Sequence, residues 1–484
     1  MLALIGLTTS RAYGNGPPPP PTIVEPYSKA AVAFDDEANH RARTSLKHFL
    51  STFEVIRIYF VEAPGNGHQS ANLRMMTRLR ELGFNGEFQA VYHESNAAKF
   101  SYLLPGFDPA AVKTIQHLQP EGIGSLALIG ESAATALVSE KAELGFSGAN
   151  DRPTDLFLLR RLNVNSLVQL QPRKWSQRHS KREILIASTN EAVSLDHLAP
   201  LGSASQLSEI SDWETLIKRE LAVSNQLSAK IDGLRELVKS IDSADVMPAY
   251  SLDFPFAPDL LMEKIIGGIQ QAFLSQPSLF EKPVIIPIFT EFKDLKKREA
   301  LAKKLNELGV TYLDLSSAEL RNTLHSMGRQ QIVAVQVGAM PPRIFQGIFA
   351  RATLPALLEG KNLSNTMVDL GLPFINVTGS GVDVENELIK LKLPSKSFDA
   401  FMSINHALKE TSGLKPKAAA LSVANYLIEL RRTESPLRLA YAALANNPRS
   451  LNNDLVGQSL LELQRAMEKR GLTMNRCAAF LNGN

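Results

Sequence analysis

Histidine is the side chain whose ordinary pKa lies closest to neutrality, which suits it to moving a proton in a reaction. Among the nine histidines of this chain, His68 ends the segment Pro64-Gly65-Asn66-Gly67-His68. That segment follows the β-branched and aromatic run 53–60 and precedes Leu73, Met76, Leu79 and Leu82 at three-residue steps. The spacing predicts a strand, a glycine turn and a helix with one buried stripe. Gly65 and Gly67 allow a tight turn and close approach of the backbone to a ligand, with Asn66 between them. The helix start behind them offers unpaired N–H groups to an anion or a developing oxyanion. Ser70 stands where a dinucleotide fingerprint has its third glycine, and no Gly-Lys-Ser/Thr follows. The simpler reading of this segment, a tight turn without chemistry, stays open. Glu131, in Gly130-Glu131-Ser132 after the short apolar run 126–129, is the second acid/base candidate.

The second half of the chain holds three more polar turns. Gln336-Val337-Gly338-Ala339-Met340-Pro341 ends the apolar run 331–337, and open α/β sheets collect ligands at such strand ends. The stretch 354–365 places Glu359 and Gly360 ahead of a helix that carries Asn362 and Asn365, with Ser364 as a candidate cap. A carboxylate at this point can accept from both hydroxyls of a ribose, while the helix start holds a diphosphate. Asn376-Val377-Thr378-Gly379-Ser380-Gly381 leaves the last short strand as a polar loop. Each of these also reads as an ordinary turn.

The elements that must position these residues alternate between strand and helix patterns, which predicts two α/β units with parallel sheets. A strand is expected at 88–92, and 126–129 is expected to lead into a helix through about residue 144. Residues 1–45, with the proline run 17–21, read as an extended, disordered stub. Residues 46–282 read as an N-terminal α/β domain with a helical insertion at about 212–243. Residues 283–430 read as a C-terminal α/β domain and 431–484 as a helical tail. The size is that of more than one core, since 484 residues exceed the ~100–200 of a typical domain. With 52 basic and 49 acidic residues the net charge is +3, so no electrostatic footprint calls for nucleic acid. Cys477 is the only cysteine, which excludes an internal disulfide framework and a cysteine zinc site. No run reaches the ~20 apolar residues of a membrane helix. The basic cluster from Arg173 to Arg182 reads as a solvated face.

In order along the chain, these fragments are similar to the GT-B class of nucleotide-sugar glycosyltransferases. The match rests on the glycine-histidine loop after the first strand and on Leu354-Pro355-Ala356-Leu357-Leu358-Glu359-Gly360, followed by a helix and Gly371-Leu372-Pro373-Phe374. It spans about residues 53–430. The resemblance implies two Rossmann-like domains facing across a cleft. It implies that Gly65, Gly67 and His68 form the acceptor side, and that Gly338, Glu359, Gly360 and Asn362 form the donor side. It also implies transfer from a nucleotide-sugar to an acceptor nucleophile without a metal or other cofactor, His68 serving as base and Glu131 as reserve. The chain departs from the pattern in carrying Glu359-Gly360-Lys361-Asn362 where many members have a His- or Gln-rich stretch, so the sugar is not assigned.

Other readings remain open at this level. A sugar-nucleotide epimerase would use the same fold with different acid/base groups. A non-catalytic two-lobed binding protein would need neither histidine nor nucleotide. The proline run and the C-terminal helices offer surfaces for a protein partner. The expected location is cytoplasmic, with export the minor alternative because the short apolar start 1–7 lacks a basic lead-in.

Overall fold

Every residue of strand β1 (Val55–Phe60) but the first is buried, as happens when helices cover both faces of a parallel sheet. The computed structural model describes residues 29–62, 67–147, 156–171, 180–181, 184–188, 212–221, 230–253, 257–377, 384–385, 388, 392–408, 415–446 and 455–469. Helix α1 (Lys29–Ser51) leads into β1, and α2 (Gly67–Glu81) follows it. The stripe Leu73, Met76, Leu79 and Leu82 is buried as its spacing predicts, and Gly83 stops the helix at φ +114°. β2 (Glu87–Tyr92) and β5 (Ala142–Ser147) flank β1 in parallel, with Ile58 opposite Ala90 on one side and Phe146 on the other. The first sheet is completed by β3 (Gln116–Leu118), β4 (Leu126–Gly130), β6 (Val164–Gln171), β7 (Ser180–Lys181) and β8 (Ile184–Ser188). Its order is β3-β4-β2-β1-β5-β6-β8-β7, parallel except at the two edges. Short helices α3 (Ala97–Leu103) and α4 (Leu156–Arg161) complete this domain's crossovers.

The stretch after β4 differs from expectation. It forms a 3₁₀ turn over Glu131–Ala136 and then β5, not a helix through 144. Leu144, Phe146 and their neighbours lie between two strands, so their burial is set by the sheet and their sequence reads equally well as helix.

The second domain begins earlier than position 283. Helices α5 (Trp213–Leu221), α6 (Ile231–Ile241) and α7 (Pro258–Ser275) bury Ile217, Leu234, Leu237, Ile265 and Ile269 in the core built around β10 (Val284–Ile288). The region 212–243 is therefore no insertion in the first domain. β9 (Asp245–Val246) pairs with β10, and the chain continues alongside it through Met247 N–H to Ile285 O and Ala249 N–H to Pro287 O. Pro248 interrupts this strand, since it cannot donate to a ladder. Next come α8 (Leu295–Glu307), β11 (Thr311–Asp314), α9 (Leu320–His325), β12 (Ile332–Gln336), α10 (Pro342–Phe349), β13 (Ala356–Leu358), α11 (Lys361–Asp369) and β14 (Phe374–Asn376). Four strands run in the order β11-β12-β10-β9, and Ala249 bridges them to the parallel pair β13-β14. Both domains are thus Rossmann-like α/β layers, the predicted fold class.

Helices α12 (Ser395–Leu408), α13 (Pro416–Arg431) and α14 (Pro436–Asn446) pack on the second domain. Helix α15 (Leu455–Lys469) does not, because Val456, Leu460 and Leu463 enter the first domain's core beside Leu46 and Phe49 of α1. The segment read as a single tail is therefore divided between the domains. The N-terminal segment read as disordered through residue 45 is helical from Lys29, while the proline run lies outside the described residues. Among the described residues no helix is long and apolar enough to cross a membrane.

Helices α7 and α13 cross at Gly268, where an added Cβ would stand 2.3 Å from Val423 Cγ1 and 3.0 Å from Ala420 O. Gly268→Ala is expected to destabilise the second domain by about 1–3 kcal/mol through overpacking, measured as a lower urea midpoint.

Candidate active site

The C-terminal ends of the parallel strands carry the polar groups of both domains. In the first domain, Gln69 in the opening turn of α2 donates to Asn96 Oδ1 at 2.8 Å and to Val61 O at 3.2 Å. Asn96 in turn donates to Phe60 O and Val61 O, so the end of β1 is fastened to the start of α2 and to the end of β2. His68 is half-buried on this fastened turn, and its carbonyl accepts from Asn72 Nδ2 at 3.1 Å. Gly67 is the first residue of α2. Gly65 and Asn66 lie outside the described residues.

Glu131 begins the 3₁₀ turn after β4, and its side chain is only 10% exposed. Arg161 Nη2 stands 2.6 Å from it. Tyr59 also bonds to it, and burial followed by the Glu131 charge pushes the Tyr59 hydroxyl up. Arg161 and Tyr59 thus fix the Glu131 carboxylate on the rim at the end of β4. Burial pushes the neighbouring Glu94 carboxyl up, but bonds from the Ser132 N–H and hydroxyl outweigh this and hold it below the usual carboxylate range. His93, Glu94 and Glu131 have ligand atoms within 4.8 Å of one another, close enough to share a cation. Arg161 already supplies Glu131 with one.

In the second domain Gly338 follows β12 with φ +74°, a conformation that favours glycine. Its N–H and that of Val337 both donate to Ile288 O. Gln336 Nε2 donates to Thr290 O at 2.6 Å while its Oε1 accepts from Tyr312 at 3.0 Å, so the ends of β10, β11 and β12 are tied together. Gly360 precedes α11 with φ +88°, and nothing lies within 4 Å of where its Cβ would be. Beside it, Glu359 is half-buried at the end of β13. The Tyr250 hydroxyl is pushed up to about 12, first by burial and then by the charges of Glu359, Asp253 and Glu291. The Tyr250 ring meets Phe345 edge-on at 5.4 Å.

Gly338, Glu359 and Gly360 thus occupy one rim of one sheet. Asn362 lies in the first turn of α11, and Asn365 is buried one turn further on. Ser364 does not cap the helix, since its hydroxyl donates back to Gly360 O at 3.0 Å. Residues 378–381 of the last polar loop and residues 172–179 of the basic cluster lie outside the described residues. Lys293, just past β10, lies near enough to Lys99 of α3 for its charge to act there. Burial lowers Lys99 first, Glu62 opposes this, and Lys293 adds to it. Arg343, in the first turn of α10, is paired with Glu121 of the first domain at 2.5 Å. Glu291, Lys230, His93 and Arg161 are rim residues that motif reading does not single out. For Glu291 and His93 the position just past a strand end was an available signal.

No protein-family model matches the chain, and no curated protein does. Among solved structures, an α,α-trehalose-phosphate synthase (UDP-forming) from Burkholderia vietnamiensis is similar at 10% identity and TM-score 0.40, over 86% of this chain and 100% of that one. A glycosyltransferase from Rickettsia africae is similar at 10% identity and TM-score 0.42, over 86% of this chain and 98% of that one. An Escherichia coli trehalose-6-phosphate protein bound with UDP-2-fluoro glucose is similar at 8% identity and TM-score 0.39, over 85% and 98%. Likeness at this identity and superposition bears on neither substrate nor reaction.

Proposed function

We propose that the chain is a glycosyltransferase that moves a sugar from a nucleotide-sugar donor to a hydroxyl or other nucleophile of an acceptor. The observation that carries this reading is Gly360, which holds a left-handed backbone beside open space, between a half-buried carboxylate and a helix start. A backbone bare of side chain at a strand end suits close approach of a phosphorylated ligand. Glu359 accepts from the ribose hydroxyls, and the first N–H groups of α11 face the diphosphate. On the opposite rim His68 takes the proton of the attacking acceptor group. The acceptor atom forms its bond to the anomeric carbon as the bond from that carbon to the diphosphate oxygen breaks. The electron pair leaves with the nucleoside diphosphate. This route is metal-independent, the leaving charge being met by backbone dipoles and basic side chains.

The test is release of nucleoside diphosphate from a panel of nucleotide-sugars, with and without EDTA. One donor is expected to be turned over preferentially and without loss in EDTA. Glu359→Gln is expected to raise KM for that donor by about 10–100-fold, the loss of a hydrogen bond to a charged group worth ~1.5–3 kcal/mol. Release from no nucleotide-sugar, with binding of free sugar instead, would replace this reading with the two-lobed binding protein.

A further inference from the structure

Lys230 immediately precedes α6, makes no side-chain cap bond to it, and comes from the helical segment between the two sheets. Its Nζ reaches across to the end of β12 and donates to Val337 O at 3.0 Å. The nitrogen stands 3.1 Å from where a Cβ on Gly338 would be. A side chain at 338 would therefore be strained by φ +74° and would also crowd the ammonium. An ammonium has three donors. Among the described residues Val337 O is the one acceptor bonded to this one, which leaves two N–H groups unspent in a half-buried position. Burial lowers its pKa, while the charges of Glu291 and Asp314 oppose that and Arg298 reinforces it. Asp314 is itself engaged by Arg298 at 2.5 Å. A partly desolvated cation with spare donors is costly until an anion meets it.

We propose that Lys230 and Gly338 form an anion subsite that takes the diphosphate of a bound nucleotide. The inference rests on the glycosyltransferase reading only for the identity of the anion. The subsite lies at a strand end, where a phosphate can approach the bare Gly338 backbone while the ammonium donates to its oxygens. The competing role is structural, with Lys230 merely stapling α6 to the sheet.

Calorimetric titration of the full chain separates the two. Nucleoside, nucleoside diphosphate and inorganic pyrophosphate are titrated into the wild type, Lys230→Met and Lys230→Arg. The Met variant is expected to bind the diphosphate about 10–100-fold more weakly, the range for one charge-assisted bond, with nucleoside affinity unchanged. The Arg variant is expected to retain most of the diphosphate affinity. Equal diphosphate binding by wild type and Met variant overturns the subsite. So does a parallel loss of nucleoside and diphosphate, since a staple would affect both. If the Met variant fails to fold, Lys230→Gln, which removes the charge but keeps a donor for Val337 O, decides by the same ratio of diphosphate to nucleoside affinity: a selective loss of diphosphate binding supports the subsite, and an unchanged ratio overturns it. Pyrophosphate binding that depends on Lys230, with no nucleotide bound by the wild type, would keep the subsite and remove the glycosyltransferase reading. A folded wild type that binds neither pyrophosphate nor nucleotide overturns both.

Discussion

His68→Ala is expected to lower turnover by about 10²–10⁴-fold while leaving nucleoside diphosphate affinity unchanged, the range for loss of a general base. The asymmetry follows from placement. His68 stands on the first domain's rim, at the start of α2, whereas Gly338, Glu359 and Gly360 stand on the second domain's rim. Loss of the base should therefore appear in kcat with the nucleotide site intact. Gln69 and Asn96 fasten the turn without using the imidazole, so its geometry is expected to survive the substitution. Turnover and donor KM are measured together with the thermal midpoint. A fall in stability equal to that in turnover would assign His68 to packing, and unchanged turnover would remove it from the reaction.

The second large effect is on stability. Leu460→Ala is expected to cost about 2–5 kcal/mol, the usual range for emptying a fully buried leucine site. Against a typical total of ~5–15 kcal/mol this is a large share. Leu460 is completely buried, with Val456 and Leu463, against the face of the first sheet that α1 also covers. Gln464 reinforces the contact through its bond with Ser45 of α1. Loss should appear in the unfolding of the first domain, while Gly268→Ala acts on the second. A two-transition denaturation profile followed for both variants assigns each effect. A Leu460→Ala protein as stable as wild type would mean that α15 is not part of the first domain's core.

How much of this is legible in the sequence depends on how local the deciding contacts are. The turn from β1 to α2 is legible because its strand run, glycines and three-residue apolar steps lie within 30 residues and each has a local cause. Gly338 and Gly360 are legible as turns, and their left-handed backbones agree with that. The domain boundary is not, because β9 spans only two residues before Pro248 and its partner strand begins at Val284. Residues 142–147 mislead because a strand buried on both faces loses the alternation that would distinguish it from a helix. The destination of α15 is set by a core formed some 400 positions earlier, since Gln464 meets Ser45 with 419 positions between them. Lys230 is illegible for the same reason, as its partner carbonyl lies 107 positions away. Asn365 is the converse case: its type suggests a ligand contact, and only the fold shows that it lies on the buried face of α11.

The central claim is that the second domain's rim holds a nucleotide. Isothermal titration of the purified wild-type chain with each nucleoside diphosphate, repeated in EDTA, tests it most directly. The account predicts saturable binding of one diphosphate over the others, with the same affinity in EDTA. A folded protein that binds no nucleotide at millimolar concentration would contradict it.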